Sequence, residues 1–174
     1  MQVYSQQLTE LDFCSDGGHW GSLFQLTSLR RLALKIDTPY NRAVPPPPPW
    51  RAALPALQRL SLTSCTADLA PLLLRCDMPR LEALSIHDCR IADGADLAAL
   101  PAAAPALQEL RLTWLTLAEA PTLALPALRV ADLSRSSLPG SFWQHLPLAW
   151  PALEQLLLDG DAQAVSMDVV RPLP

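Results

Sequence analysis

The most regular feature of the sequence is a recurring pattern of apolar positions, L-x-x-L-x-L. Its clearest copy runs from Leu81 to Ile91 and reads LEALSIHDCRI. Seven copies recur at intervals of 21 to 28 residues, and they open at Leu8, Leu29, Leu57, Leu81, Leu107, Leu128 and Leu153. Proline precedes the opening leucine by two residues in five of the seven copies, as Pro55, Pro79, Pro105, Pro126 and Pro151. Self-similarity at such a period indicates a solenoid or another repeat array.

The spacing inside each copy predicts a β-strand. Counting the opening leucine as position 1, positions 4 and 6 point to the same side of an extended chain. In the fourth copy these are Leu84 and Ile86, and in the fifth they are Leu110 and Leu112. One strand cannot bury such a face alone, so the copies must stack side by side in a parallel sheet. The segments between them are predicted to return along the outside as short helices, turns or loops.

With these residues in register, the sequence resembles a leucine-rich repeat protein. The copy that begins at Leu81 is similar to the cysteine-containing repeat subtype, which is common in F-box/LRR proteins. Cysteine fills position 9 only in the third and fourth copies, as Cys65 and Cys89. The resemblance implies an α/β fold, a right-handed solenoid or horseshoe with a concave parallel β-sheet and short convex helices or loops.

The resemblance extends over nearly the whole chain, so we expect a single leucine-rich repeat domain over residues 1–174. The second repeat is longer than the others because residues 38–50 form a Pro-rich insertion that ends in five prolines, Pro45 to Pro49, and Trp50. Five consecutive prolines favour polyproline II. The insertion is predicted to be a stiff loop on the convex side, and the alternative is a ligand motif for an SH3, WW or profilin-like groove.

Composition narrows the classes of partner. Charged residues make up 17% of the chain and the net charge is −4, which argues against nucleic acid because its binding proteins carry basic patches. Proline or charge interrupts every apolar window before the roughly 20 residues that span a membrane. The first seven residues do not resemble a signal peptide. We therefore expect an intracellular protein, cytoplasmic or nuclear, with no nucleic-acid or membrane partner.

The residues that carry chemistry are too scattered to indicate an enzyme. His87 lies two residues before Cys89, but strand alternation turns His87 outward, whereas position 9 follows the strand and is expected to tuck into the core of the repeats. Nucleophilic catalysis would need these side chains to meet. A metal site made of Cys65, His87 and Cys89 would have at most three ligands and no C-x-x-C anchor. We predict no catalytic activity, no metal, no cofactor and no small-molecule substrate.

Cys65 and Cys89 occupy equivalent positions of neighbouring repeats. Their Cα atoms should be about 4.8 Å apart, the spacing of neighbouring strands. This distance permits a disulfide, whereas a reducing compartment favours two thiols. Both states are compatible with the sequence.

The predicted function therefore depends on the outward-facing residues of the sheet. Trp114 is the most conspicuous, because Trp and Arg are enriched among interface hot spots. The alternative is that Trp114 packs beneath a neighbouring loop. The predicted protein-binding residues on the concave face are Arg59, Ser85, His87, Asp88, Arg111, Trp114, Asp132 and Arg135.

Together these observations predict a non-catalytic protein–protein interaction module. The resemblance implies the partner- or substrate-recognition segment of a larger F-box/LRR-like protein, and hence a role in ubiquitin-ligase substrate recognition. The sequence contains no F-box of its own. The alternative is a structural or sensor repeat segment of an immune-receptor-like protein, and an enzyme is the least favoured class.

Overall fold

Each L-x-x-L-x-L segment forms one strand of a single parallel sheet in the computed structural model, which describes residues 7–15, 25–36, 52–64, 76–89, 95–117 and 123–158. Every strand of this sheet begins at position 3 of its repeat. The strands are, in their order across the sheet, β1 (Glu10–Ser15), β2 (Arg31–Ile36), β4 (Arg59–Thr63), β6 (Ala83–His87), β7 (Glu109–Thr113), β8 (Val130–Asp132) and β9 (Gln155–Leu157). Two shorter strands, β3 (Ala52–Ala53) and β5 (Cys76–Asp77), pair separately in parallel.

The register aligns the leucines of neighbouring repeats. Leu60 of β4 pairs with Leu84 of β6, which pairs with Leu110 of β7. These position-4 side chains are at most 2% exposed. Position 6 forms a second buried row that includes Leu62, Ile86 and Leu112. The two rows make the core continuous from strand to strand, because each of these inner side chains lies between its equivalents on the neighbouring strands.

The recurrent prolines belong to the turns that precede the strands. In each turn the N–H of the opening leucine donates to the carbonyl three residues earlier, as Leu57 does to Leu54 at 3.1 Å. Pro55 is the second residue of that turn, a place that suits its fixed φ. The turn residue that precedes the proline is buried in all five cases, as Leu54, Met78, Ala104, Leu125 and Trp150.

Backbone hydrogen bonds of one kind join the repeats just before the strands. The carbonyl at position 2 accepts two N–H groups of the next repeat, as Gln58 does from Glu82 at 2.9 Å and from Ala83 at 3.0 Å. The same pair of bonds is present at all six junctions of the described sheet. These bonds and the leucine register both fix how each repeat sits on its neighbour.

The return segments carry three short helices within the described residues, α1 (Ala95–Ala98), α2 (Leu100–Ala103) and α3 (Gly140–Ala149). The longest of them, α3, has ten residues and begins directly after Pro139. Phe142 and Leu146, four residues apart, both pack inward. Pro147 occupies the exposed last turn of this helix.

The predicted α/β fold, a leucine-rich repeat solenoid with an open parallel sheet, is confirmed. Its extent, one domain over residues 1–174, stays a prediction. The Pro-rich insertion at 38–50 and Cys65 lie outside the described residues. Within those residues, no helix is both long and apolar enough to cross a membrane.

Candidate protein-binding surface

One face of the sheet is covered by the core and the other is open to solvent. In β4 and β6 the side chains alternate between buried leucine or isoleucine and exposed or half-buried residues. We call the side that carries positions 3, 5 and 7 the open face. The predicted binding residues lie on this face or directly after its strands, at position 8.

Position 8 has the same unusual backbone conformation in four consecutive repeats. Ser64, Asp88, Trp114 and Arg135 all have left-handed φ values, of 51°, 50°, 59° and 59°. We call these four residues the exit row, because they stand side by side where the chain leaves the sheet. The left-handed residue comes directly after β4, β6 and β7. The row is still joined across repeats, because Asp88 N–H donates to Thr113 O at 3.0 Å and Trp114 N–H donates to Ser134 O at 3.3 Å.

Sequence reasoning did not find this conformation. Left-handed residues are usually glycine, asparagine or aspartate, and only Asp88 in the exit row belongs to those types. Gly160 stands at position 8 of the last repeat and was the available signal in the sequence. It lies outside the described residues.

Trp114 and Arg135 form the most distinctive contact of the open face. The Trp114 side chain is 52% exposed. The Cζ atom of Arg135, on the next repeat, lies 4.9 Å from the centre of the Trp114 ring. A guanidinium above an indole at this distance is a cation–π contact. The exposure favours the interaction hypothesis for Trp114 over packing beneath a loop.

Two more of the predicted residues lie on the strands beside this contact. His87 Nδ1 is 2.8 Å from the Thr113 hydroxyl on the neighbouring strand. The guanidinium of Arg111 forms a salt bridge with Glu109, and its Nε donates to Glu109 Oε1 at 2.7 Å. These contacts hold His87 and Arg111 in place on the open face.

Asp132 and Ser85 complete the group around Arg111. In register, Arg111 lies between Ser85 of β6 and Asp132 of β8. Both residues are half-buried. Asp132 Oδ1 accepts the backbone N–H of Ser134 at 3.0 Å, which shapes the turn after β8.

Arg59 does not join this group. It is exposed at the start of β4, whereas Trp114 follows the end of β7. Five residues of extended chain separate positions 3 and 8, or about 16 Å at 3.3 Å per residue. Arg59 therefore lies at the opposite end of the strands from the exit row, whereas the other seven predicted residues occupy positions 5, 7 and 8.

Cys89 and His87, which were considered for catalysis or metal binding, lie on opposite sides of the chain. Cys89 is 6% exposed, and its thiol donates to Leu62 O at 3.5 Å and to His87 O at 3.3 Å. His87 points away from it, into solvent. Among the described residues, no group of three or more His, Cys, Asp or Glu side chains could hold a metal ion.

The family of the chain follows from a comparison of its sequence with family models. Residues 18–170 match the model described as FBD-associated F-box protein At5g56370, LRR repeats. The chain belongs to this family. Its leucine-rich repeats suggest protein–protein interaction, and modules of this kind are typically not enzymes.

Comparisons with individual proteins add less to the family assignment. No curated protein matches this chain significantly. Among solved structures, the chain is similar to an internalin (inlF) from Listeria monocytogenes str. 4b F2365, with a TM-score of 0.36 and 16% sequence identity. The match covers 82% of this chain and 51% of that chain, so this chain spans about half the length of the internalin.

Proposed function

We propose that this chain is the recognition segment of a larger intracellular F-box/LRR-like protein and binds a protein through the open face of its sheet. In that role the bound protein is a candidate substrate for ubiquitin ligation. The observation that supports this proposal most directly is the contact between the half-exposed indole of Trp114 and the guanidinium of Arg135.

The backbone of Trp114 supports this proposal. A left-handed conformation is unfavourable for residues with a Cβ by about 1–2 kcal/mol. Trp114 has a φ of 59°, yet half of its side chain remains in solvent. The same conformation recurs at Ser64, Asp88 and Arg135, so it belongs to the repeat, and at Trp114 it turns the indole outward to where a partner can reach it.

The type of side chain supports the same proposal. Trp and Arg are enriched, together with Tyr, among the residues whose truncation weakens an interface by about 2 kcal/mol or more. Here the two residues are already in contact before any partner binds. A preformed hot spot loses less side-chain entropy on association than two independent flexible side chains.

Quantitative affinity capture tests the proposal with three forms of the natural full-length protein. Trp114→Ala removes the exposed ring. Leu148→Ala is the matched control, because Leu148 is 87% exposed but lies on helix α3, away from the open face. We expect proteins captured by the wild type to be lost with Trp114→Ala and retained with Leu148→Ala. Equal capture by all three forms contradicts the proposal.

The ligase role requires a second measurement in cells. A captured protein that is a substrate should be less ubiquitinated when Trp114→Ala replaces the wild-type chain, and Leu148→Ala should leave its ubiquitination unchanged. Capture that depends on Trp114 without any change in ubiquitination would leave protein binding in place and contradict the ligase role.

A further inference from the structure

Arg135 differs from the other arginines whose contacts are described around the sheet. Arg111 is paired with Glu109, and Arg129 is paired with Glu154. Within the described ranges, Arg135 has no carboxylate within salt-bridge distance, and its contact is the ring of Trp114. The nearest acidic residue in the sequence, Asp132, accepts the Ser134 N–H instead.

A guanidinium that contacts an aromatic ring and has no carboxylate partner is suited to an acidic ligand. A cation–π contact uses the charge of the guanidinium but none of its N–H donors, so these remain able to bind a ligand. The fork of donors matches the two oxygens of a carboxylate. Arg135 is therefore oriented by Trp114 and retains its charge for an acidic group.

We infer that the exit row binds an extended protein segment in which an apolar side chain lies on the Trp114 ring and a neighbouring acidic side chain pairs with Arg135. This inference rests on the proposed function and gives the bound segment a chemical class. The chain has a net charge of −4, so attraction to an acidic segment must be local rather than a property of the whole surface.

The charge of Asp88 favours one placement of the acidic residue within the bound segment. It stands in the exit row two strands before Arg135, at about 4.8 Å per strand or about 10 Å in all. Its exposed carboxylate repels an acidic residue and favours a basic or neutral one. About three residues of extended chain span that distance. The acidic residue of the segment therefore lies over Arg135 and its less acidic end lies over Asp88.

Selection from a phage-displayed library of random nonapeptides tests this inference. Four purified forms serve as bait: wild type, Trp114→Ala, Arg135→Glu and Arg129→Glu. The last is the matched control, because Arg129 is also exposed and charged but lies outside the exit row, in a salt bridge with Glu154. Thermal unfolding followed by circular dichroism establishes that each bait is folded.

We expect the wild type and Arg129→Glu to enrich peptides that combine an apolar residue with Asp or Glu. Arg135→Glu should instead enrich Lys or Arg at the same place, and Trp114→Ala should lose the enrichment. A fluorescein-labelled copy of the most enriched wild-type peptide should bind Arg135→Glu at least tenfold more weakly. Replacing its acidic residue with Lys should restore binding to that variant.

Two results would overturn the inference. One is enrichment of the same peptides by the wild type and Arg135→Glu, and the other is enrichment that does not depend on Trp114. Either result leaves the proposed function standing if captured proteins are still lost with Trp114→Ala. Conversely, if protein capture does not depend on Trp114, the proposed function is contradicted, whichever peptides are selected.

Discussion

The hydroxyl of Ser136 donates a hydrogen bond of 2.8 Å to the carbonyl of Leu112, one strand back in the sheet. The same Oγ accepts the Leu115 N–H at 3.0 Å. Ser136 occupies position 9 of its repeat, and Cys89 at position 9 of an earlier repeat donates in the same way to Leu62. Position 9 thus ties each of these two repeats to the end of the preceding strand.

Replacing Ser136 with alanine should lower the free energy of unfolding by about 1–3 kcal/mol, because it leaves a buried carbonyl and a buried N–H without partners. Urea denaturation measures the loss. Ser136→Cys should recover part of it, since a thiol donates weakly. Ser137→Ala is the control, because Ser137 is exposed and its hydrogen bonds to Leu115 and Leu117 use its backbone N–H and carbonyl. Equal stability of both alanine variants would contradict this role.

Replacing Leu84 with aspartate should abolish cooperative folding. Leu84 is 1% exposed and lies between Leu60 and Leu110 in the continuous leucine row. An unpaired carboxylate at this place is unfavourable by several kcal/mol. Thermal unfolding by circular dichroism should show no sharp transition. Ser85→Asp adds the same charge one residue later on the open face, and a transition near that of the wild type is expected for it.

The left-handed exit row can be tested by comparing two substitutions at one site. Trp114→Gly and Trp114→Ala remove the same ring contacts, but only glycine adopts a positive φ without strain. The glycine variant should be more stable than the alanine variant by about 1 kcal/mol. Differential scanning calorimetry measures the difference. An alanine variant at least as stable as the glycine variant would show that φ is not positive at this residue in solution.

The thiol of Cys76 should make stability fall at high pH. Burial, with a smaller contribution from the charge of Asp77, raises the pKa of Cys76 from 9.0 to about 12. Above pH 9 the unfolded chain loses this proton while the folded chain keeps it, so ionisation favours unfolding. The contribution is fully present below pH 9 and declines toward pH 12, by at most about 1.4 kcal/mol per pH unit.

Chemical denaturation between pH 8 and pH 10.5 measures this decline. Cys76→Ala should lose stability less steeply with pH than the wild type. Ser137→Ala is the control, because Ser137 is exposed and its side chain does not titrate, so this variant should retain the wild-type slope. Identical slopes for all three proteins would show that Cys76 does not keep its proton in the folded state.

Much of the fold was predictable because it depends on a repeated local pattern. The leucines at positions 4 and 6 can be buried only if the repeats stack in one register, and the structure has that register from β1 to β9. The length of α3 was not predictable. It depends on Phe142 and Trp150 meeting edge to face, with ring centres 5.5 Å apart, and on a hydrogen bond of 2.9 Å from Trp150 Nε1 to Leu123 O.

The candidate binding surface was likewise only partly predictable from the sequence. The sequence by itself determined that Arg111, at position 5, faces away from the core, because strand alternation follows from counting. Alternation alone would put position 8 on the core side with positions 4 and 6, and it is the left-handed turn that exposes Trp114 and Arg135. The tertiary structure decided that the Arg135 guanidinium lies over the Trp114 ring while Arg111 pairs with Glu109. It also decided that the exit row is left-handed. The Trp114–Arg135 contact and the backbone bonds of the exit row join neighbouring repeats, and spacing along one repeat does not encode them.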